Sequence, residues 1–263
     1  MRVSRPLRAL RHAARAPELL RCVRGSADWG VLSAGYLGIR PLRYPHEFRT
    51  RNGDMLTLES FHDLVTAWII FFRREYDVEP SCQTIIDVGA NIGAFSLFAA
   101  RVAVAARIIA LEPFPATRER LEAHVAQNGL GDRIACRPWA LGGADVPRRM
   151  DDSNGPSQSR GLLGNDLPAG GVLVDAITLA TLWARERIER ADLLKMDIEG
   201  GEHEVIRATT PDVLRRARAI ALEYHPNGSK ATLFARIQNA GFALVRDVPN
   251  GRDSGVAHFR RTA

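Results

Sequence analysis

Thr84-Ile85-Ile86-Asp87-Val88-Gly89-Ala90-Asn91-Ile92-Gly93-Ala94-Phe95-Ser96 is the stretch on which the fold of this chain turns. A short β-branched run ends in Asp87, two glycines bracket a tight turn, and an apolar helical pattern starts at once. This pattern predicts a buried strand, a turn and a helix. Gly89 and Gly93 carry no side chain, so the backbone can turn sharply and a ligand can lie against it, beside the N–H groups that open the next helix. Asp87 adds a carboxylate at the carboxyl end of the strand, where open α/β sheets bind ligands. The spacing is Gly-x-Asn-x-Gly and not the Gly-x-Gly-x-x-Gly of dinucleotide sites, and no Gly-x-x-x-x-Gly-Lys-Ser/Thr loop serves a nucleoside triphosphate. A nucleoside cofactor without phosphates remains, and S-adenosylmethionine is the expected one.

Arg107-Ile108-Ile109-Ala110-Leu111-Glu112-Pro113 reads as the next strand. It ends in Glu112, close to the interval of roughly 20 residues at which an acidic residue meets a ribose in nucleotide-binding βαβ units. A carboxylate can accept hydrogen bonds from both ribose hydroxyls. The structural alternative is that Glu112 caps the helix starting near Phe114, with Pro113 and Pro115 setting its first turn.

At 263 residues with 46% hydrophobic content, the chain is one medium α/β domain with an N-terminal extension. We divide it into a basic arm (1–43), a hairpin and helix (44–80) and a cofactor-binding domain (81–263). The net charge of +6 fits nucleic acid, an anionic membrane surface or an acidic substrate alike. Much of the excess lies in Arg2, Arg5, Arg8, Arg11, Arg15, Arg21 and Arg24, interleaved with leucines as in a basic amphipathic helix. Such a segment can be a solvated arm, a targeting segment or a peripheral membrane contact. Cys22, Cys82 and Cys136 form no Cys-x-x-Cys pair. They fit a reducing cytoplasm, with neither a disulfide framework nor a zinc site.

Asn52-Gly53 centres a hairpin over 44–60, and Asp63 to Tyr76 reads as an apolar helix. Arg133 to Trp139 is expected as the third strand, with Trp139 offering its plane either to adenine or to the core. Residues 145–171 read as a long polar loop able to cover the cofactor, and Val172 to Ile177 as an outer strand. Leu194-Lys195-Met196-Asp197-Ile198-Glu199-Gly200-Gly201-Glu202 ends a further buried strand in charge. Lys195, Asp197 and Glu199 share one face if the strand persists, at a desolvation cost that packing residues would not carry. A surface ion-pair network with an acidic helix N-terminus is the plainer alternative. The fifth strand, Ala219 to Pro226, includes His225, a candidate proton acceptor.

With these residues in hand, roughly residues 45–260 resemble the FkbM family of S-adenosylmethionine-dependent methyltransferases. The resemblance rests on Asp87-x-Gly89-Ala90-Asn91-x-Gly93, Glu112-Pro113, Asn154-Gly155-x-Ser157 and Leu194-Lys195-x-Asp197-x-Glu199-Gly200-x-Glu202. It implies a Rossmann-like class I methyltransferase fold: α/β, with a seven-stranded, mostly parallel sheet flanked by helices and an antiparallel terminal strand. It also implies methyl transfer to a hydroxyl of a sugar, lipid-linked or secondary-metabolite acceptor. Asp87, Gly89, Ala90, Asn91, Gly93, Glu112, Trp139, Ser157 and Asp197 are then the expected cofactor contacts.

The sulfonium methyl is already activated, so such an enzyme must align an oxygen, exclude water and remove a proton. Asp197, Glu199 or His225 is expected to take that proton, with Lys195 fixing the carboxylates. No metal site is expected from a histidine cluster, although an acidic pair could hold a divalent cation that lowers the hydroxyl pKa. Competing readings are an RNA methyltransferase, which lacks an arginine–aromatic surface on the catalytic domain, and a non-catalytic binding protein on the same fold.

Overall fold

The computed structural model describes residues 15–150, 171–251 and 253–262. Arg2, Arg5, Arg8 and Arg11 of the arm, and the Asn154-Gly155-x-Ser157 motif with Ser157, lie outside the described residues. The chain divides into two compact units, Met1–Glu75 and Tyr76–Ala263.

In the first unit, α1 (Ala16–Gly25) and α2 (Trp29–Tyr36) precede a hairpin of β1 (His46–Arg49) and β2 (Met55–Leu58). The Asn52-Gly53 signal is met by Gly53 at φ +94° and by reciprocal Thr50–Asp54 hydrogen bonds across the turn. Helix α3 (Phe61–Ala67) starts where the Ser60 hydroxyl accepts from Asp63 N, and it continues as a π-helical turn over Trp68–Arg73. The α1 helix packs on that turn, and its buried Glu18 accepts from Trp68 Nε1 at 2.9 Å and Arg73 Nε at 3.2 Å. Residues 16–36 and the hairpin thus share one unit, whereas the sequence reading separates them at residue 43.

The second unit is built on β3 (Thr84–Val88), α4 (Ala94–Val102), β4 (Arg107–Leu111), α5 (Pro115–Gln127) and β5 (Ile134–Arg137). Next come β6 (Trp139–Leu141), β7 (Val146–Met150), β8 (Val172–Ile177), α6 (Leu179–Arg185) and β9 (Ala191–Met196). The chain closes with α7 (Glu202–Ala208), α8 (Pro211–Leu214), β10 (Ala217–Tyr224), α9 (Lys230–Asn239), β11 (Phe242–Pro249) and β12 (Gly255–Arg261). Seven strands form one sheet in the order β11-β12-β10-β9-β3-β4-β5, and β12 runs antiparallel to both of its neighbours. Ile86, Val88, Ile109, Leu194, Met196, Ile220 and Leu222 belong to a core that α6, α7 and α9 cover. These strands read as continuous apolar runs because both sheet faces are buried.

Two strand expectations are corrected. Arg133–Trp139 is not one strand, since pairing with β4 stops at Arg137 and Pro138 has no N–H to continue a ladder. Trp139 instead opens β6, part of a separate three-stranded sheet ordered β6-β8-β7 with its own small core of Ala140, Met150, Val174 and Ala176. Val172–Ile177 is accordingly the middle strand of that small sheet and not an outer strand of the large one. Residues 146–150 of the expected loop are β7. Among the described residues no helix is long and apolar enough to cross a membrane.

Candidate active site

From β3 the chain builds outward through β4 and β5, then returns to β9 and β10 on the other side of β3. The neighbours β3 and β9 therefore flank the topological switch point, where open parallel sheets leave a crevice at their carboxyl ends. The two charged motifs of the sequence meet there. Parallel register sets Asp87 beside Lys195 and Val88 beside Met196, so the turn after β3 and the turn after β9 emerge together.

Gly89 (φ +73°), Asn91 (φ +50°) and Gly93 (φ +88°) all take left-handed backbone in the first turn. A Cβ at Gly89 would lie 1.8 Å from the carbonyl oxygen of Asp197. Glycine is needed there for the approach of one turn to the other, a reason that the sequence alone does not supply. At Gly93 a Cβ would meet the Leu121 side chain at 2.6 Å. Gly89 N and Ala90 N both donate to Leu111 O, which ties the turn to β4.

Asp87 is wholly buried; its Oδ2 accepts from Ser96 Oγ at 2.7 Å and its Oδ1 lies 3.0 Å from Lys195 Nζ. Lys195 is also buried, donates to Gly89 O at 2.8 Å, and stands 3.8 Å from Asp197 Oδ2. Burial opposes the ammonium, yet Asp87 and Asp197 outweigh it and hold the Lys195 pKa above its ordinary value. Lys195 is thus a buried cation that locks the two turns together. Tyr76, which the sequence reading gave only as the end of an apolar helix, donates to Asp197 Oδ2 at 3.3 Å.

Glu112 extends from β4 beneath the glycine turn, accepting from Asn91 N at 2.9 Å and Phe114 N at 3.0 Å. Phe114 is the N-cap of α5, which has no side-chain cap, so Glu112 holds the cap residue's own N–H, and each carboxylate oxygen keeps further lone-pair capacity. Burial pushes its pKa up to about 7, against the pull of the two backbone N–H groups and Lys195. A carboxyl whose folded pKa is raised from 4.5 contributes stability that is complete below the unfolded value and is lost as the pH climbs to about 7. Glu112→Gln is expected to gain on the wild type by roughly 3 kcal/mol between pH 4.5 and 7.5 in urea unfolding. Parallel pH curves for the two proteins would refute this account of Glu112.

The second turn carries Glu199 at φ +53° and Gly200 at φ +99°. Glu202 opens α7 wholly buried and accepts from Ile198 N at 2.9 Å, closing the turn. His225, just past β10, lies between two acids: Nε2 is 3.4 Å from Glu199 Oε2 and Nδ1 is 3.3 Å from Glu202 Oε1. Burial works against a charged ring, but the hydrogen bonds and charges of Glu199 and Glu202 override it and raise the pKa to about 11. An acid thus faces each ring nitrogen of His225, which was expected as one of three candidate proton acceptors, so Asp197 and Glu199 are the less encumbered candidates. Glu223, on β10, joins the cluster with one oxygen close to ligand atoms of Asp197 and His225. The sequence reading passed over it because a strand glutamate carries no signal of the strand beside it. Trp139 packs against the main core, with the Arg185 guanidinium over its ring at 5.0 Å.

The residues fit S-adenosylmethionine on two observations. Asn91 Oδ1 is a buried acceptor with no hydrogen-bond partner, in the turn that a ligand would line. The carboxylates of Asp87, Asp197, Glu199, Glu202 and Glu223 outnumber the cations Lys195 and His225, which favours a sulfonium. The fold and this edge define a class I S-adenosylmethionine-dependent methyltransferase. The chain belongs to the FkbM methyltransferase family, whose domain, described as "Methyltransferase FkbM domain", matches residues 87–244. Methyltransferase sdnD of Sordaria araneosa is 30% identical over 68% of this chain and 81% of its own length. The 31-O-demethyl-FK506 methyltransferase FkbM of Streptomyces tacrolimicus is 24% identical over 67% of this chain and 78% of its own. AMB antimetabolite synthetase AmbE of Pseudomonas aeruginosa is 30% identical over 61% of this chain, which spans only 9% of that much longer protein.

Proposed function

We propose that this enzyme methylates a hydroxyl oxygen of a small-molecule or glycan acceptor, such as a sugar, a lipid-linked sugar or a secondary metabolite. The observation that carries the reading is the set of partly exposed carboxylates at the carboxyl edge of β9 and β10, where an acceptor O–H must lose its proton as it gains a methyl group. The name of the Streptomyces relative, 31-O-demethyl-FK506 methyltransferase, points to an oxygen acceptor as well. The acidic edge disfavours a phosphate-rich acceptor such as RNA.

S-adenosylmethionine, when bound, supplies a methyl group already activated on sulfur. Asn91 and Glu112 are the groups proposed to hold its polar portions, the glycine turn its path into the crevice. Asp197 faces the reacting oxygen, oriented by Tyr76 and Lys195, while Lys195 and Asp87 position the turns from below. The proton goes to a carboxylate of this edge, Asp197 or Glu199. Ser157 belongs to the same proposal by its motif alone.

The test combines calorimetric titration of the full chain with S-adenosylmethionine and labelled-methyl transfer to a panel of hydroxylated acceptors, with amines and RNA as comparators. Asp197→Asn is expected to keep cofactor affinity within about threefold and to lose about 100- to 1000-fold in turnover. Label entering only amines or RNA would remove the hydroxyl reading. Cofactor binding without any transfer by the wild type to the whole panel would favour the non-catalytic alternative.

A further inference from the structure

The carboxyl edge holds a second feature that methyl transfer by itself does not require. Ligand atoms of Asp197, Glu223 and His225 all lie within 4.8 Å of one another, and all three side chains are partly exposed. Register explains the convergence. Met196, the last residue of β9, pairs with Leu222 of β10, so Asp197 just past β9 comes beside Glu223, and His225 follows two positions on. Two carboxylates and an imidazole from adjacent strand ends form a ligand set for a hard or borderline divalent cation such as Mg²⁺ or Mn²⁺.

An independent observation concerns what stands behind the histidine. Nδ1 of His225 faces the carboxylate of Glu202 at 3.3 Å, and Glu202 is wholly buried, with its Oε2 lacking any hydrogen-bond partner. A ligating histidine commonly presents its other ring nitrogen to a carboxylate, which fixes the tautomer and strengthens the ligand. Glu202 is placed for that role, which leaves Nε2, now 3.4 Å from Glu199 Oε2, as the ring nitrogen for a cation. Oε1 of Glu202 serves both Ile198 N and His225, and the cost of burying its charge is met by those partners.

We propose that Asp197, Glu223 and His225 bind a divalent cation at the acceptor side of the site, with Glu202 as the residue that positions His225. The inference rests on the methyltransferase reading for its purpose: a cation there would hold the acceptor oxygen and lower the pKa of its hydroxyl. Binding replaces the proton on Nε2, which leaves to solvent. Glu199 stands outside the ligand set and is then the carboxylate that receives the acceptor proton.

Mn²⁺ alone, added to chelator-treated full-length protein, gives the test through the electron paramagnetic resonance signal of the free ion. One saturable Mn²⁺ per chain is expected. Glu223→Gln should weaken it at least tenfold, and Glu202→Gln by about 10- to 100-fold. Circular dichroism melts verify folding, and Asp197→Asn replaces Glu223→Gln if the latter is unfolded. Absence of a saturable site in the folded wild type, or wild-type Mn²⁺ affinity in the folded ligand variants, overturns the proposal. Parallel titration with S-adenosylmethionine separates the two readings: cofactor binding without Mn²⁺ binding defeats the cation site alone, whereas lost cofactor binding strikes the methyltransferase site whatever Mn²⁺ does.

Discussion

Gly89→Ala is expected to disrupt the native sheet edge and abolish cofactor binding, although it adds a single methyl group. The added Cβ would sit 1.8 Å from Asp197 O and 2.9 Å from its carbonyl carbon, and both are backbone atoms of the neighbouring strand end. A flexible side chain could move away, but here β3 and β9 would have to separate. Their register and the Asp197 N to Val88 O hydrogen bond of 3.1 Å oppose that. The left-handed backbone at φ +73° adds roughly 1–2 kcal/mol for any residue with a Cβ. Together these effects place the destabilisation at about 4 kcal/mol or more, in the range reserved for severe core disruption. Gly129→Ala is the matched control: it shares positive φ (+65°), but a Cβ there meets nothing within 4 Å. It should lose only the backbone term. Equal melting temperatures for the two variants would show that close approach is not what Gly89 serves.

Lys195→Met is expected to cost about 3–5 kcal/mol, because it leaves the wholly buried Asp87 charged and without its cation. It also removes the donor to Gly89 O, so the glycine turn loses its tie to β9. The pH dependence separates this cause from simple loss of packing. An uncompensated buried carboxylate at position 87 can relieve its cost by taking a proton, so as the pH falls the variant should regain more stability than the wild type, which shares only the gain that comes from Glu112. Adding Asp87→Asn should restore much of the loss at neutral pH, since the buried charge is then gone. A double variant no more stable than Lys195→Met in urea unfolding would refute the ion-pair account. In the wild type the raised Lys195 pKa keeps this contribution complete below about pH 10.4, and it is lost only as the pH rises through the folded value.

The run Thr84 to Ser96 and the run Leu194 to Glu202 by themselves determined that two buried strands end in glycine turns with acidic residues beside them. Apolar runs and turn residues are local properties, and they were enough for the α/β class and the expected cofactor; the family came from the resemblance of these motifs together with Glu112-Pro113 and Asn154-Gly155-x-Ser157. Residues that depend on register could not be read this way. Glu223 and Tyr76 join Asp197 because β10 and the segment before β3 come to its side, and neither carries a local mark of that meeting. The reason for Gly89 was likewise hidden, since the atom it makes room for lies more than a hundred residues away. Trp139 shows the converse: Arg133 to Trp139 was expected as one strand, but Pro138 interrupts the ladder and a second sheet takes the tryptophan. His225 shows it in charge, for the two acids that face its ring nitrogens come from the turn after β9 and from α7, which the residue's own surroundings in the sequence do not reveal. Sequence thus fixes which groups sit at strand ends, whereas packing fixes their neighbours, and neighbours set protonation and ligand geometry.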